Sequence, residues 1–295
     1  MFKGNNTIKL IAVLGILVGA YAVVKLTSDG GRSKSYREVL VEIDTAKVTR
    51  VEISGADNKT ILEKGENGWT VNKDKKAVVA TVKTMLSSLN GIKPSRLASR
   101  SEDSWKDFQV DSAGTRVQVF EGSDEALDLI IGRFGVEGQR SYYTYVRLED
   151  EADTYVANNF MGMSVGKTGV DYRNNVIMRL KKDSISSVDL KYPEGTYNLV
   201  KTGEDWTLAG VAADSAAVAD FLSALKFVSS KKFEDGTVGE SDREVVIHLS
   251  GSDDITVKSF GEGVLNSSYN EYEYFNDQTA YDKIFKEPEY FTSSL

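Results

Sequence analysis

The sequence predicts an α+β protein in which an N-terminal transmembrane helix precedes two tandem duplicated domains, each a mainly antiparallel sheet with one packed helix. Three observations lead to this fold class. An apolar run stands near the N-terminus, short segments of alternating apolar residues typical of strands fill much of the rest, and the residues around Trp69 recur around Trp206 at an offset of 137. The predicted boundaries are 1–35 for the membrane anchor and linker, 36–170 for the first domain and 171–295 for the second.

The apolar run reads LIAVLGILVGAYAVVKL from Leu10 to Leu26 and follows a short basic tail. Together with its flank it predicts a membrane-spanning helix over residues 8–26, in which snorkelling lysines extend a span shorter than the roughly 20 residues usually needed. A cleaved signal peptide is the alternative, with Ala20-Tyr21-Ala22 as its cleavage site. The anchor is favoured because the apolar run continues past that site.

The orientation of the chain depends on the same segment. The basic residues after the run, taken alone, favour a cytoplasmic body. A short charged N-terminus joined to one apolar segment usually exports the domain behind it, and long domains translocate largely regardless of charge. We therefore expect a single-pass protein of the cytoplasmic membrane with its body on the extracytoplasmic side.

Each copy of the repeat begins with a hairpin that contains a tryptophan. The segment ILEKGENGWTV, residues 61–71, is matched by NLVKTGEDWTL, residues 198–208. In both, two strand-like halves flank a charged turn, which predicts a β-hairpin with the tryptophan at the start of its second strand. The preceding segments VEIDTAKVTRVEI and MRLKKDSISSVDL match at the same offset without a gap and predict the strand before the hairpin.

One helix is predicted after each hairpin. The apolar positions of KKAVVATVKTMLSSLNGI recur at helical spacing, namely at Val78, Val82, Met85 and Leu89. Gly91 predicts its end, and Asp214 predicts the N-cap of the counterpart DSAAVADFLSALKFV. Beyond the helices, both copies predict a hairpin around an acidic turn, and YYTYVRL in the first copy is matched with YEYFN in the second. A period near 130 residues is too long for a solenoid and indicates a duplicated domain.

Composition excludes several classes of function. The chain has no cysteine, which excludes disulfides, thiolate catalysis and cysteine zinc sites. It has only one histidine, His248, and this scarcity excludes most hydrolase and metalloenzyme chemistry. The net charge is −8, and beyond residue 26 the balance is 33 basic against 44 acidic residues, or −11. Such a body repels a phosphate backbone, so no nucleic-acid partner is expected.

The two hairpin tryptophans, Trp69 and Trp206, are candidate platforms on which a sugar or a base would stack. The structural interpretation is favoured, since a tryptophan packed near the end of a hairpin is ordinary and the next two residues of each copy continue a strand pattern.

Other candidates also favour structural interpretations. His248 lies in a strand pattern and has no second histidine or cysteine with which to complete a metal site or a triad. Gly166-Lys167-Thr168 lacks the leading glycine and the preceding strand of a phosphate-binding loop, and is interpreted as an interdomain connector. The acidic turns at Asp124-Glu125 and Asp253-Asp254 lack the spacing of a calcium loop and indicate solvated hairpin tips. An interface and a half-buried final strand both remain open for the C-terminal tyrosines, which are Tyr272, Tyr274 and Tyr281.

The pattern as a whole resembles a family of bacterial membrane-anchored proteins whose body is a domain of unknown function, often encoded beside gliding-motility-type ABC transporter components. The segments that carry the resemblance are Val51-Glu52-Ile53, Leu62 through Val71, Leu86-Ser87-Ser88-Leu89, and LIIGRFG followed by YYTYVRLEDEADTYVA, with its Tyr145-Val146-Arg147 element. The segment WKDFQVD departs from the glycine-leucine-aspartate turn expected there. The resemblance covers nearly the whole chain after the apolar run, and its motifs are structural rather than catalytic.

The resemblance implies a non-enzymatic, membrane-tethered, extracytoplasmic accessory protein with a protein partner such as an ABC transporter subunit. No catalytic, cofactor-binding or metal-binding residue is predicted, and no cofactor. Two alternatives stay open: a glycan- or peptide-binding module that uses the tryptophan hairpins, and a carboxylate-dependent hydrolase of envelope polysaccharide, because acids are the only abundant catalytic-type residues in the chain.

Overall fold

A computed structural model of the chain describes residues 36–292 apart from 167 and 262, together with Leu14 and Val18. Apart from those two residues, the predicted membrane segment 8–26 lies outside the described residues. No helix in the described part of the chain is long and apolar enough to cross a membrane, and the fold is mostly antiparallel sheet. The predicted fold class, α+β with an N-terminal transmembrane helix, is therefore wrong for the molecule as described, because strands far outnumber the few short helices.

A first unit contains a nine-stranded sheet. Its strands are β1 (Val48–Ser54), β2 (Lys59–Gly65), β3 (Gly68–Val71), β4 (Lys75–Lys76), β5 (Pro94–Ser99), β6 (Thr115–Glu121), β7 (Asp124–Glu137), β8 (Ser141–Leu148) and β9 (Thr154–Asn158). They pair in the order β4-β3-β2-β1-β6-β7-β8-β9-β5, and every pair is antiparallel.

A second unit contains an eight-stranded sheet and a separate two-stranded ribbon. Its strands are β10 (Val176–Arg179), β11 (Ile185–Tyr192), β12 (Gly195–Thr202), β13 (Asp205–Leu208), β14 (Val211–Ala212), β15 (Phe227–Ser229), β16 (Arg243–Leu249), β17 (Ile255–Ser259), β18 (Val264–Ser267) and β19 (Asn270–Asn276). The sheet has the order β14-β13-β12-β11-β16-β17-β18-β19, and β10 pairs with β15 to form the ribbon.

The two sheets share one strand order over eight positions, and their paired residues correspond. Val51 faces Leu62 in the first sheet, and the residues 137 positions later, Val188 and Leu199, face each other in the second. The exception is the strand after the helix, because β5 extends the edge of the first sheet whereas β15 joins the ribbon. The predicted match of YYTYVRL with YEYFN is wrong, since YYTYVRL lies in β8, whose counterpart in this order is β18, and YEYFN lies in β19. The domain boundaries at 35/36 and 170/171 stay predictions.

The helices of the described residues are α1 (Val79–Asn90), α2 (Trp105–Phe108), α3 (Ser215–Ala224) and α4 (Gln278–Ile284). The buried side of α1 carries Val82, Met85, Leu86 and Leu89, as its spacing predicts. Asp214 caps α3 as predicted, its Oδ1 accepting from the backbone of Ala216 and Ala217 at 2.8 and 2.9 Å. The prediction of a single packed helix in the second domain is wrong, because α4 also buries residues against the core of the second unit.

Three consecutive residues of the first unit, 75–77, contact the second, and the next residue, Val78, contacts Tyr172 of the connecting segment, whose ring lies in the core of the first unit. Lys75 Nζ lies 3.0 Å from Asp235 Oδ1, and Lys76 Nζ lies 3.2 Å from the ring centroid of Tyr272. Ala77 forms an isolated antiparallel bridge with Arg173, and Val78 N donates to the carbonyl oxygen of Tyr172 at 2.7 Å. This segment fixes the start of α1 against the second unit.

Candidate functional site

The first tryptophan hairpin forms in the predicted register. Lys64 faces Trp69 and Gly65 faces Gly68, so the turn is Glu66-Asn67. Trp69 is 7% exposed and belongs to the core of the first unit, which confirms the structural interpretation of this ring. A ring buried to this extent offers no open face for a sugar or a base to stack on.

A groove of about 640 Å³ lies between the tip of this hairpin and α1. This hairpin groove is lined by Thr45 and Ala46 of the turn before β1, by Lys64, Gly65, Glu66, Gly68 and Trp69 of the hairpin, and by Val79, Lys83, Leu86 and Ser87 of α1. Three segments distant in sequence therefore meet at one site, and its volume is in the range of ordinary ligand and peptide sites.

The shape of the hairpin groove depends on a glycine. Gly68 has φ +111°, a conformation that residues with a side chain rarely adopt. A Cβ at this position would also lie 4.0 Å from Cγ2 of Val79 across the groove. That distance is an ordinary van der Waals contact, so the requirement for glycine at position 68 comes from the backbone conformation of the turn.

The charges around the hairpin groove are mixed. Lys64 Nζ donates to the carbonyl oxygen of Ala46 at 3.2 Å, which ties the hairpin to the turn before β1. Lys83 and Glu66 form no ion pair with other described residues, and both are exposed. The groove therefore combines an apolar floor, made of the exposed Val79 and the largely buried Trp69 and Leu86, with charged groups on its rim.

The second hairpin repeats the register but not the burial. Lys201 faces Trp206 and Thr202 faces Asp205. Trp206 is only partly buried and packs against the edge of the second core. The two tryptophans therefore occupy equivalent positions with different solvent exposure.

His248 lies between two aspartates on the outer face of the second sheet. Its Nδ1 lies 2.7 Å from Asp254 Oδ2, and its Nε2 lies 3.2 Å from Asp189 Oδ2. Hydrogen bonding to Asp189 and then to Asp254 raises the pKa of His248 despite partial burial, and the bond to His248 helps to hold the pKa of Asp254 low. Both ring nitrogens already have carboxylate partners, so the arrangement is an ion-pair cluster rather than a base poised against a nucleophile.

The remaining predicted candidates are structural where they are described. Gly166 N donates to the Tyr172 hydroxyl at 3.0 Å, and Thr168 caps a short turn over Gly169–Tyr172; Lys167 is outside the described residues. This segment joins the two units, as predicted for a connector. The acidic turns Asp124-Glu125 and Asp253-Asp254 close hairpins, and the described residues contain no group of three or more acids and histidine able to hold a metal ion.

The C-terminal tyrosines lie on or next to the last strand. Tyr272 and Tyr274 point outwards from β19, and Tyr274 contacts the ring of Phe260 edge-on at 5.2 Å. Tyr281, in α4, stacks on Phe285 at 4.6 Å. Tyr272 lies under Lys76 of the first unit, so one of these tyrosines contributes to the contact between the units.

Sequence reasoning missed the hairpin groove because its residues come from three separate segments. The hairpin tip can be recognised in the sequence because its residues recur in the second copy of the repeat. Among the residues contributed by α1, Lys83 and Ser87 have a signal in the helical spacing, which places these two exposed residues one turn apart and next to the core position Leu86.

The chain belongs to the family described as Domain of unknown function (DUF4340), whose model matches residues 69–245. The match begins at Trp69 itself, passes through both units and ends in β16. The chain has no match among curated proteins or among solved structures.

Proposed function

We propose that this chain is a non-enzymatic accessory protein that binds another protein of the cell envelope through the hairpin groove. An ABC transporter subunit is the first candidate for that partner, because the chain resembles proteins encoded beside gliding-motility-type transporters. The proposed place of action is the extracytoplasmic side of the cytoplasmic membrane.

The observation that carries this proposal is the construction of the hairpin groove. Its apolar floor consists of Val79, which is exposed, and of the largely buried Trp69 and Leu86, and it is surrounded by Lys64, Lys83 and Glu66. Protein interfaces commonly have this arrangement of an apolar centre inside a polar rim. The floor is made by sheet and helix rather than by a loose loop, so a partner would meet a preformed surface.

The hydrolase alternative receives no support from the acids. A glycoside hydrolase needs one carboxylic acid whose pKa is raised, so that it can donate a proton. In the described part of the chain, the carboxyl groups with a clearly shifted pKa all have it lowered. The causes are hydrogen bonds and ion pairs, for example from Arg173 to Asp235 and from Asn276 to Glu234.

Site-directed photo-crosslinking in growing cells tests the proposal. A benzoylphenylalanine is introduced at Ser87, which lines the hairpin groove, and separately at Ser223, which lies 136 positions later on the exposed side of α3. We expect a discrete adduct with an envelope protein from position 87 and none of that adduct from position 223. The same adducts from both positions, or no protein adduct from position 87, would contradict the proposal.

A further inference from the structure

The first unit contains a buried arginine without a carboxylate partner. Arg147 is 3% exposed, and its guanidinium lies over the ring of Trp105 at 3.8 Å from the centroid. Burial lowers the pKa of this guanidinium. Removing a charge from water is costly unless it is paired or fully hydrogen-bonded, so the partners of Arg147 decide whether it is satisfied.

Those partners are backbone carbonyl oxygens. Nε donates to Val110 at 3.1 Å, and Nη1 donates to Leu148, Glu149 and Glu151 at 3.0, 2.7 and 3.2 Å. Nη2 donates no hydrogen bond to any other described residue, and no carboxylate of the described chain lies within ion-pair distance. Nη2 is therefore the donor group of this buried side chain that has no partner among the described residues, and it retains some contact with solvent.

The second unit satisfies the same position with a smaller, neutral side chain. Arg147 faces Ile130 across β7 and β8, and Asn266 faces Lys258, 128 positions after Ile130, across β17 and β18. Asn266 Nδ2 donates to the carbonyl oxygens of Glu271 and Glu273 at 3.1 and 2.9 Å. In the second unit, an amide is thus sufficient to hold the chain that follows this strand. The Nη2 group of Arg147 is therefore not required to hold the corresponding chain in the first unit.

Arg147 lines a cavity of about 370 Å³. Trp105 and Ile130 give the cavity an apolar wall, and Asp111 and Glu149 add carboxylates. The Asp111 carboxylate accepts from Ala113 N at 3.1 Å, whereas the Glu149 carboxylate has no hydrogen bond to another described residue.

A second arginine of the cavity is already paired. Arg116 Nε donates to Asp128 Oδ1 at 2.8 Å, and its Nη2 contacts Asp128 Oδ2. Its charge is therefore neutralised by a bidentate ion pair. The cavity consequently offers one cationic donor without a protein partner, an apolar wall and the carboxylates of Asp111 and Glu149, of which only Glu149 accepts no hydrogen bond.

We propose that this cavity binds a free α-amino acid with an apolar side chain. The carboxylate of the ligand accepts from Nη2 of Arg147, its ammonium group pairs with Glu149, and its side chain packs on Trp105 and Ile130. A ligand with only the carboxylate would meet uncompensated repulsion from Glu149 and Asp111, and a ligand with only the ammonium group would be repelled by Arg147. The site shares no residue with the hairpin groove, so the tests of the two proposals are independent of each other.

Fluorescence of Trp105 tests this site in the full-length chain. The chain has three tryptophans, so Trp69→Phe and Trp206→Phe together leave Trp105 as the only one. L-Phenylalanine, phenylacetate and phenethylamine are titrated separately. We expect a saturable change with L-phenylalanine and binding about tenfold weaker or worse for the other two, because each lacks one charge-assisted contact. No saturable change with L-phenylalanine, or equal responses to all three compounds, would overturn the proposal.

Substitution of the two charged residues gives a sharper test. Arg147→Lys should weaken L-phenylalanine binding by about tenfold or more, because the flexible ammonium does not reproduce the fixed guanidinium. Glu149→Gln should weaken L-phenylalanine and tighten phenylacetate, since it removes a partner from one and a repelling charge from the other. If Arg147→Lys does not fold, Glu149→Gln still decides, and a change of the same sign for both compounds refutes the site.

Discussion

Arg173 and Glu273, 100 positions apart in the chain, form an ion pair in which Nε donates to Oε1 at 3.1 Å. The two residues are 7% and 2% exposed. Arg173 also makes two hydrogen bonds of 2.9 Å to Asp235, and Asp235 in turn pairs with Lys75 of the first unit. A buried pair in the second unit is thereby connected to the contact between the units.

Glu273→Gln should destabilise the protein by about 3 kcal/mol, because it removes the buried charge that compensates Arg173. Asp235→Asn should cost less than about 1 kcal/mol, since the Asp235 side chain is 55% exposed and solvent screens its interactions. Urea unfolding of the two variants measures both values. An equal loss of unfolding free energy in the two variants would show that burial does not determine the strength of the interactions in this cluster.

The two hairpin tryptophans should differ in quenching and in their effect on stability. In variants that keep a single tryptophan, acrylamide should quench Trp206 more strongly than Trp69, which is 7% exposed. Trp69→Ala should cost about 3–5 kcal/mol, as expected for a large buried ring, and Trp206→Ala should cost less. A Trp69 as accessible to acrylamide as Trp206 would reopen the ligand-platform interpretation.

Asp214→Ala should reduce stability by about 1 kcal/mol, because two backbone N–H groups at the start of α3 lose their side-chain acceptor. Asp214→Ser is the matched control, since serine is an equally good N-cap, and it should retain most of the stability. Thermal or urea unfolding gives the comparison. A loss that is the same for alanine and serine would mean that the cap hydrogen bonds are not the cause.

His248 should make stability depend on pH. Hydrogen bonds to Asp189 and Asp254 raise its pKa in the folded state, so the folded state binds the proton more tightly than the unfolded state does. The resulting stabilisation is fully present below the unfolded pKa of about 6.5 and is lost as the pH rises through the folded pKa.

Comparison of the natural chain with His248→Asn isolates this effect. The difference in melting temperature should be larger at about pH 5.5, below the unfolded pKa, than at an alkaline pH above the raised folded pKa, where the histidine is neutral in both states. A difference that does not change with pH would indicate that His248 contributes only packing and neutral hydrogen bonds.

The hairpins and the first helix could be predicted from sequence because local pattern determines them. The register of Lys64 with Trp69, and of Lys201 with Trp206, follows from a charged turn between two alternating segments. The buried positions of α1 follow from helical spacing.

The last strand could not be predicted in this way. In β19 the tyrosines at 272 and 274 point outwards, and Glu273 and Phe275 point inwards. Apolar alternation alone gives no reason to bury a glutamate, and the reason is Arg173, 100 positions away. The segment after it was also missed as a helix, although Asp277 caps α4 by accepting from Thr279 N at 3.0 Å. An aspartate two residues before that threonine was the available signal.

The candidate site had a weaker signature for the same reason. The hairpin groove joins three segments, and the Arg147 cavity requires Trp105, from an insertion that only the first copy has, to lie against a strand 42 positions later. Local pattern indicates neither contact. Both depend on how the strands pair in space.

Residues 75–77 join the two units through an ion pair, a cation–π contact and a β-bridge in succession. Once one of these contacts has formed, the other two form at high effective concentration, as the sites of a multivalent ligand do. All three must be released together before one sheet can rotate away from the other. The two units should consequently unfold in a single cooperative transition, without a populated intermediate in which one sheet has melted and the other has not.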